Sequence, residues 1–313
     1  MHPRPVFVLG PQRKVPLVRD ALRHLGRTRG IRPVALVSAG WEERELEHDE
    51  LEAHVGRPVV NLEVFRRVEE IYREDPDLHA AVRERHDRMR RLHALYRIRL
   101  GHAVEAAREL LRAEVEAELA EPERSASIQA IQAIDQLQLE RLRGLHHAFW
   151  DRWRPTERPA VARHRAELET LLAPCAGLCI AGGHVVILLN RLRLLGILDL
   201  CPGMPVIAWS AGAMALAQRV VLFHDSPPQG PGYVEVFEAG LGLIGGLLPF
   251  PHADQRLRLA DPDRVALLAH RFAPDRCVML SGGEMLQWTG ERWSALRPTS
   301  RLGEDGALRE VPT

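Results

Sequence analysis

Ser210, Asp225 and His252 stand in that order along the chain, the carboxylate 15 and the imidazole 42 residues beyond the serine. A serine hydroxyl is almost fully protonated near neutral pH, so nucleophilic attack needs an imidazole as general base. The imidazole in turn needs a carboxylate to fix its tautomer and stabilise its cation. The serine lies in Ala208-Trp209-Ser210-Ala211-Gly212, where the apolar run Met204-Pro205-Val206-Ile207-Ala208 gives way to a small-residue helical stretch, 211–218. A serine at such a strand-to-helix turn holds its hydroxyl clear of the sheet, and the next backbone N–H groups point at any oxyanion formed there. The turn is strained and crowded, a demand for small neighbours that Ala208, Ala211 and Gly212 meet; the glycine usual two positions before the serine is Ala208 here. His252 follows Pro249-Phe250-Pro251 on a rigid loop after the glycine-rich segment 240–246, where functional residues concentrate. Asp225, just before Pro227-Pro228, suits either a triad carboxylate or an ordinary turn.

Upstream, Leu178-Cys179-Ile180-Ala181-Gly182-Gly183-His184 is a short apolar run ending in two glycines, with a helical pattern through Leu188, Leu189, Leu192 and Leu195 behind it. Glycines between a parallel strand and a helix let backbone amides approach an anion closely. Read functionally, Gly183 supplies one oxyanion N–H and Ala211 the other; read structurally, the diglycine only makes a tight turn. Trp41, in Ser38-Ala39-Gly40-Trp41 after a second apolar run, falls where ligands of parallel α/β sheets bind, and either walls a substrate site or caps the core. Arg256 and Arg258, shortly after His252, offer planar forks for a substrate carboxylate, or pair at the surface with Asp254, Asp261 or Asp263.

Taken together, Gly182-Gly183 with its leucine-rich helix, Pro205-Val206-Ile207-Ala208-Trp209-Ser210-Ala211-Gly212-Ala213, Asp225 and Pro251-His252 resemble the serine peptidase family of dipeptidase E (aspartyl dipeptidase) and cyanophycinase. The resemblance covers about residues 170–290 well and 3–45 loosely. It implies the class I glutamine amidotransferase-like, flavodoxin-like fold, with serine replacing the amidotransferase cysteine. It also implies Ser210 as nucleophile, His252 as base, Asp225 as third member with Glu284 as the alternative acid, and Gly183 and Ala211 as oxyanion donors. Gly182, His184, Trp41, Arg256 and Arg258 are then the candidate substrate contacts. His184 stands where dipeptidase E has an asparagine, which bears on specificity. An α/β-hydrolase shares the Ser, Asp, His order, but 42 residues from nucleophile to histidine leave too little room for the strand-helix units that precede its acid and base.

The elements that must position these residues are legible as well. Residues 5–9 and 33–38 are short continuous apolar runs around an amphipathic stretch through Leu17, Leu22 and Leu25, the pattern of buried parallel strands with a crossover helix. The same pattern resumes at residue 166. The expected fold class is α/β, a mostly parallel central sheet with helices on both faces, formed by residues 1–60 and 155–313. An all-helical insertion, residues 61–154, interrupts it. There Leu78, Val82, Met89, Leu92, Tyr96, Leu100, Ala107, Leu111 and Val115 form one stripe of a long helix beginning at Asp75-Pro76. Ile128, Ile131, Ile134, Leu142, Leu145 and Phe149 form a second after a break at Pro122. A helical hairpin is expected, its stripes buried against each other, the helix near 64–72, or a second copy of the chain. The basic run Arg83, Arg85, Arg88, Arg90, Arg91, Arg97 and Arg99 is expected to be a solvated face, and His146-His147 a surface pair. His79, His86 and His93 share a face but lie about 10 Å apart in sequence, too far to ligate one metal.

The 313 residues carry 42 basic and 42 acidic side chains, which removes any global electrostatic argument for a nucleic-acid or membrane partner. Lys14 is the only lysine. The four cysteines, Cys175, Cys179, Cys201 and Cys277, have no metal-site spacing and are expected as free buried thiols of a cytoplasmic protein. No metal or organic cofactor is expected, and the partner is a small peptide-like substrate. The rival reading is a non-catalytic regulatory or binding protein on the same scaffold.

Overall fold

A computed structural model describes residues 4–25, 32–225 and 233–312. The apolar runs become strands: β1 (Val6–Leu9) and β2 (Val34–Val37) flank α1 (Val18–His24), followed by α2 (Asp49–Val55), β3 (Val59–Asn61) and α3 (Val64–Glu74). The insertion is a hairpin of two 37-residue helices, α4 (Pro76–Arg112) and α5 (Ala117–Trp153). Then come α6 (Pro159–Leu172), β4 (Leu178–Ile180), α7 (Val185–Leu195), β5 (Val206–Trp209) and α8 (Ala211–Leu216). The C-terminal part comprises β6 (Arg219–Leu222), β7 (Glu235–Ala239), β8 (Leu247–Pro251), α9 (Ala253–Arg256), α10 (Pro262–Phe272) and β9 (Arg276–Leu280). It ends with β10 (Met285–Trp288), β11 (Trp293–Ala295), β12 (Ser300–Leu302) and β13 (Leu308–Glu310).

The central sheet has seven strands in the order β11-β10-β1-β5-β4-β2-β3. The five strands from β1 to β3 pair in parallel, and β10 and β11 close one edge antiparallel. Because side chains alternate along a strand, the apolar runs feed both faces. Val6, Val8, Ala35, Val37, Ile180, Val206 and Ala208 join the larger core cluster. Phe7, Leu9, Leu36, Cys179, Ile207 and Trp209 join a second one with Val18 and Leu22 of α1 and Val55 of α2. This is the expected mixed α/β fold with helices on both faces. Beside it lie a second sheet, β13-β12-β9-β8, in which β8 and β9 run parallel, and the two-stranded β6-β7.

The hairpin starts as expected: Asp75 accepts a hydrogen bond from the Leu78 N–H at 3.0 Å, with Pro76 at the first helical position. Three expectations about it are corrected. Helix α5 begins at Ala117 and carries Pro122 inside it, within its second turn, so the proline is no break. Val115 falls in the turn between the helices and is exposed instead of extending the α4 stripe. The polar groups are also less solvated than the pattern suggests. Arg85 is buried with its guanidinium 4.3 Å over the Phe149 ring, because α5 lays an aromatic on it. His146 is buried beside Glu238 of β7, whereas His147 is exposed. The other arginines of the run are exposed. His79 stacks on Tyr72 and His93 on Phe237, centroids 4.5 and 4.7 Å apart.

Candidate active site

β5 ends at Trp209 and α8 starts at Ala211, so Ser210 takes the whole direction change. Its φ of 50° and ψ of −121° are foreign to a side-chain-bearing residue, and such strain persists only where the surroundings over-determine it. They do so here. The helix following the serine lies so close to β4 that a Cβ at Gly212 would strike the carbonyl oxygen of Ile180. A Cβ at Gly182 would lie 2.9 Å from the Cβ of Ser210, closer than packing allows, and therefore the loop after β4 needs glycine to pass the serine.

Gly183 has φ 111°, and any side chain there would collide with the Gly40 carbonyl. That carbonyl accepts the His184 N–H at 2.7 Å. The loop after β2 thus clamps the diglycine, a role for Gly40 that only its place after an apolar run hinted at. The Gly183 N–H makes no hydrogen bond among the described residues, and Ala211, first residue of α8, has no acceptor within its helix. Two amide donors near the serine are therefore uncommitted. His184 caps α7, its Nδ1 accepting from the Ile187 N–H at 3.4 Å, so the imidazole shapes the loop as well as edging it. Trp41 is half-buried against the second core cluster, and its backbone N–H donates to the Ser38 carbonyl at 2.8 Å.

His252 follows β8 with φ 57° and ψ 34°, again left-handed. Its N–H donates to the Leu280 carbonyl at 2.8 Å, tying the turn to the end of β9. Helix α8 packs on both β5 and β8 and so joins the two strands that end in Ser210 and His252. The imidazole is held below the ordinary histidine pKa by burial first, then by the positive charge of Arg256; Asp254 opposes this and Lys14 adds to it. A base depressed in this way is neutral, and able to take a proton, at pH 7.

Neither candidate acid is hydrogen-bonded to the imidazole among the described residues. Asp225 bonds the guanidinium of Arg264 at 2.5 Å and accepts the Arg258 N–H at 2.8 Å, while its own N–H donates to the Arg256 carbonyl. Its hydrogen bonds thus run to α10, to the last residue of α9 and to the segment after it, and none reaches the His252 ring. Nothing in the sequence singled out Arg264. Glu284 accepts the Gly282 N–H at 2.8 Å and lies against Gly10, whose strand pairs Leu9 with Trp209 on one side and Met285 on the other. Arg256 is exposed with its guanidinium 5.9 Å from the Phe223 ring centroid. Arg258 lines a cleft of about 410 Å³ with Asp261, Asp263 and Arg264, facing Arg108 and Arg112 of the hairpin. Among the described residues no cluster of three or more His, Cys, Asp or Glu side chains could hold a metal ion.

The architecture is an α/β fold built on a parallel-rich sheet with a long helical insertion, and the fold is similar to that of a solved peptidase. A peptidase from an acI-B1 actinobacterium superposes with a TM-score of 0.50 at 11% identity, covering 100% of this chain and 95% of that one. A candidate peptidase E protein from Listeria monocytogenes EGD-e gives a TM-score of 0.44 at 11% identity, covering 94% and 98%. At that identity the likeness is one of fold. No family model matches the chain, and no curated protein matches it by sequence. All four cysteines are free and buried, and among the described residues no helix is long and apolar enough to cross a membrane.

Proposed function

We propose that the chain is a serine hydrolase that cleaves a peptide or isopeptide bond in a small substrate. The reading rests above all on Ser210, a non-glycine residue held at φ 50° on a strand-to-helix turn, with Gly182 against it and two uncommitted amides beside it. His252, neutral through its lowered pKa, takes the Ser210 proton as Oγ attacks the carbonyl carbon. The Gly183 and Ala211 N–H groups stabilise the oxyanion. The imidazolium then protonates the leaving amine, and water, deprotonated by the same ring, releases the acid from the acyl-enzyme. No step needs a metal or organic cofactor.

Asp225 is the third member in this reading, acting on His252 through the backbone of α9: it holds the Arg258 N–H and the Arg256 carbonyl, just beyond the catalytic turn. Arg256, whose charge already reaches the imidazole, is better placed than Arg258 to receive an acidic group of the substrate. The test is labelling by a serine-directed phosphonate, with wild type modified at Ser210 and Ser210→Ala inert. Labelling that is absent, or equal in both, refutes the hydrolase. A second reading, a non-catalytic regulatory or binding protein, is favoured by the commitment of Asp225 to Arg264, and absent labelling supports it.

A further inference from the structure

Helix α4 carries two stripes. Its inner one, which includes Met89, Tyr96, Leu100 and Ala107, is buried. At about 100° per residue, Ile98 lies about 180° from Met89 and Ala107 and so faces directly away from the core. It is 62% exposed and Leu95 is 60% exposed, a conspicuous pair of large apolar side chains for a surface helix.

The residues along this outer line are Arg88, Arg91, Leu95, Ile98, His102, Glu105 and Glu109, spaced alternately three and four apart and all exposed. That is the spacing of a helix–helix seam. Charge is unequal about the apolar pair: Arg88 and Arg91 precede it and Glu105 and Glu109 follow it, with Glu84 and Arg112 one step further out at either end. Asp87, the acid nearest Arg88, is taken by Arg90, and Arg88, Arg91 and Glu109 make no salt bridge among the described residues. Glu105 bonds Arg108 and Tyr233 at 50% exposure, where such a pair is worth little.

We propose that this face docks on the same face of a second copy of the chain, antiparallel, with Leu95 of each protomer on Ile98 of the other. In that orientation Arg88 of each protomer faces Glu105 of the other, and Arg91 faces His102 beside it. The patch is self-complementary, as a two-fold interface requires. Parallel pairing would set arginine on arginine. The contact runs for about 30 Å of one helix, at the small end of specific interfaces, below roughly 1,200 Å², so the dimer is reversible and depends on concentration.

Sedimentation of the full chain over a concentration series tests this. The weight-average mass should climb from 35.2 kDa towards twice that value. Leu95→Asp with Ile98→Asp, on the solvent side and therefore compatible with folding, should hold it at the monomer value with an unchanged circular dichroism spectrum. Arg88→Glu and Glu105→Arg should each be monomeric alone and dimerise when mixed. Because the native cysteines are all buried, added surface cysteines report the orientation, and Arg88→Cys should cross-link to Glu105→Cys faster than to itself. A wild type that stays monomeric up to its solubility limit overturns the proposal. So does a dimer indifferent to the paired Asp variant, or a preferred Arg88→Cys self-cross-link.

Discussion

The carboxylate of Asp225 lies 2.5 Å from the guanidinium of Arg264, each side chain 8% exposed. A triad carboxylate paired with its histidine contributes about 10⁴ in turnover, whereas one engaged by an arginine acts on the imidazole only through the chain that it holds. Asp225→Asn should therefore lower kcat by roughly tenfold, measured on any substrate the wild type turns over. A loss near 10⁴ would show that Asp225 leaves Arg264 for His252 in the reacting complex. Glu284→Gln with the larger loss would move the third role to Glu284.

Ser210→Ala and His252→Ala should each abolish hydrolysis with the fold retained, and the double variant should lose little more, because the pair acts as one unit. Strain adds a second readout. Ser210→Gly removes the side chain from its unfavourable φ of 50° and should raise stability by about 1 kcal/mol, the strain relieved exceeding the chain entropy lost. Alanine relieves none of it. Chemical denaturation of the two variants compares them directly, and equal midpoints would mean that the turn is relaxed.

The lowered pKa of His252 fixes a sign in the pH profile. Hydrolysis requires the neutral ring, so kcat/KM should fall on the acid side with a midpoint below the ordinary value of about 6.5. Arg256, the largest charge acting on the ring after burial, supports that depression, and Arg256→Gln should move the midpoint up towards 6.5. The same variant should lose any preference for substrates with an acidic group beside the scissile bond, since an unpaired carboxylate in a partly dry site costs about 1 to 3 kcal/mol. A midpoint unmoved by the substitution would remove Arg256 from the site.

Much of this framework could be read before any coordinates. The continuous apolar runs at 5–9, 33–38 and 178–180, and the one leading into Ser210, are β1, β2, β4 and β5, because a strand buried on both faces leaves no room for polar residues. The diglycine and the small residues round Ser210 are legible for a related reason: backbones that approach so closely exclude side chains whatever else the sequence contains. What escaped depends on distant partners. Arg85 and His146 look like solvent-facing residues of polar helices, and they are buried only because Phe149 and Glu238 arrive from other elements. Arg264 likewise gives no local sign that it will meet Asp225.

His146, His86 and His93 give the hairpin interface its own pH dependence. Burial is the first cause that holds each below the ordinary histidine pKa, so all three are neutral in the folded state at pH 7. Their contribution is fully present above the unfolded value of about 6.5 and is lost as pH falls through their lower folded values, because the unfolded chain then binds protons that the folded one refuses. Burial would raise the carboxyl of Glu238, but the hydrogen bond from His146 and the charge of Arg193 outweigh it and leave it lowered, so that contribution fails only at still lower pH. Thermal midpoints should decline from pH 7 to pH 5, and His93→Gln should flatten the decline. A flat profile in the wild type would mean that these imidazoles gain water, and protons, without unfolding.

The hairpin is also wired into the core by charge, which decides whether it can be removed. Asp135 of α5 takes Arg271 of α10 through two bonds of 2.7 and 2.8 Å, with each side chain 2% exposed, and accepts the Tyr96 hydroxyl of α4 at 2.6 Å. Arg271 also donates to the Val234 carbonyl, and the Tyr96 oxygen accepts the Val236 N–H. One network therefore ties both long helices to α10 and to the chain at β7. Removing one partner of such a buried pair leaves an uncompensated charge and costs about 3 to 5 kcal/mol, so Asp135→Ala should lower the denaturation midpoint sharply. Deleting residues 76–153 does the same to Arg271 and in addition uncovers the apolar side of β7 and α10 that α5 packs on. That variant should aggregate on expression. Replacing Arg271 by methionine in the deletion should recover part of the soluble yield if the stranded charge is at fault, and a deletion that is soluble and active without it would show the hairpin to be an appendage.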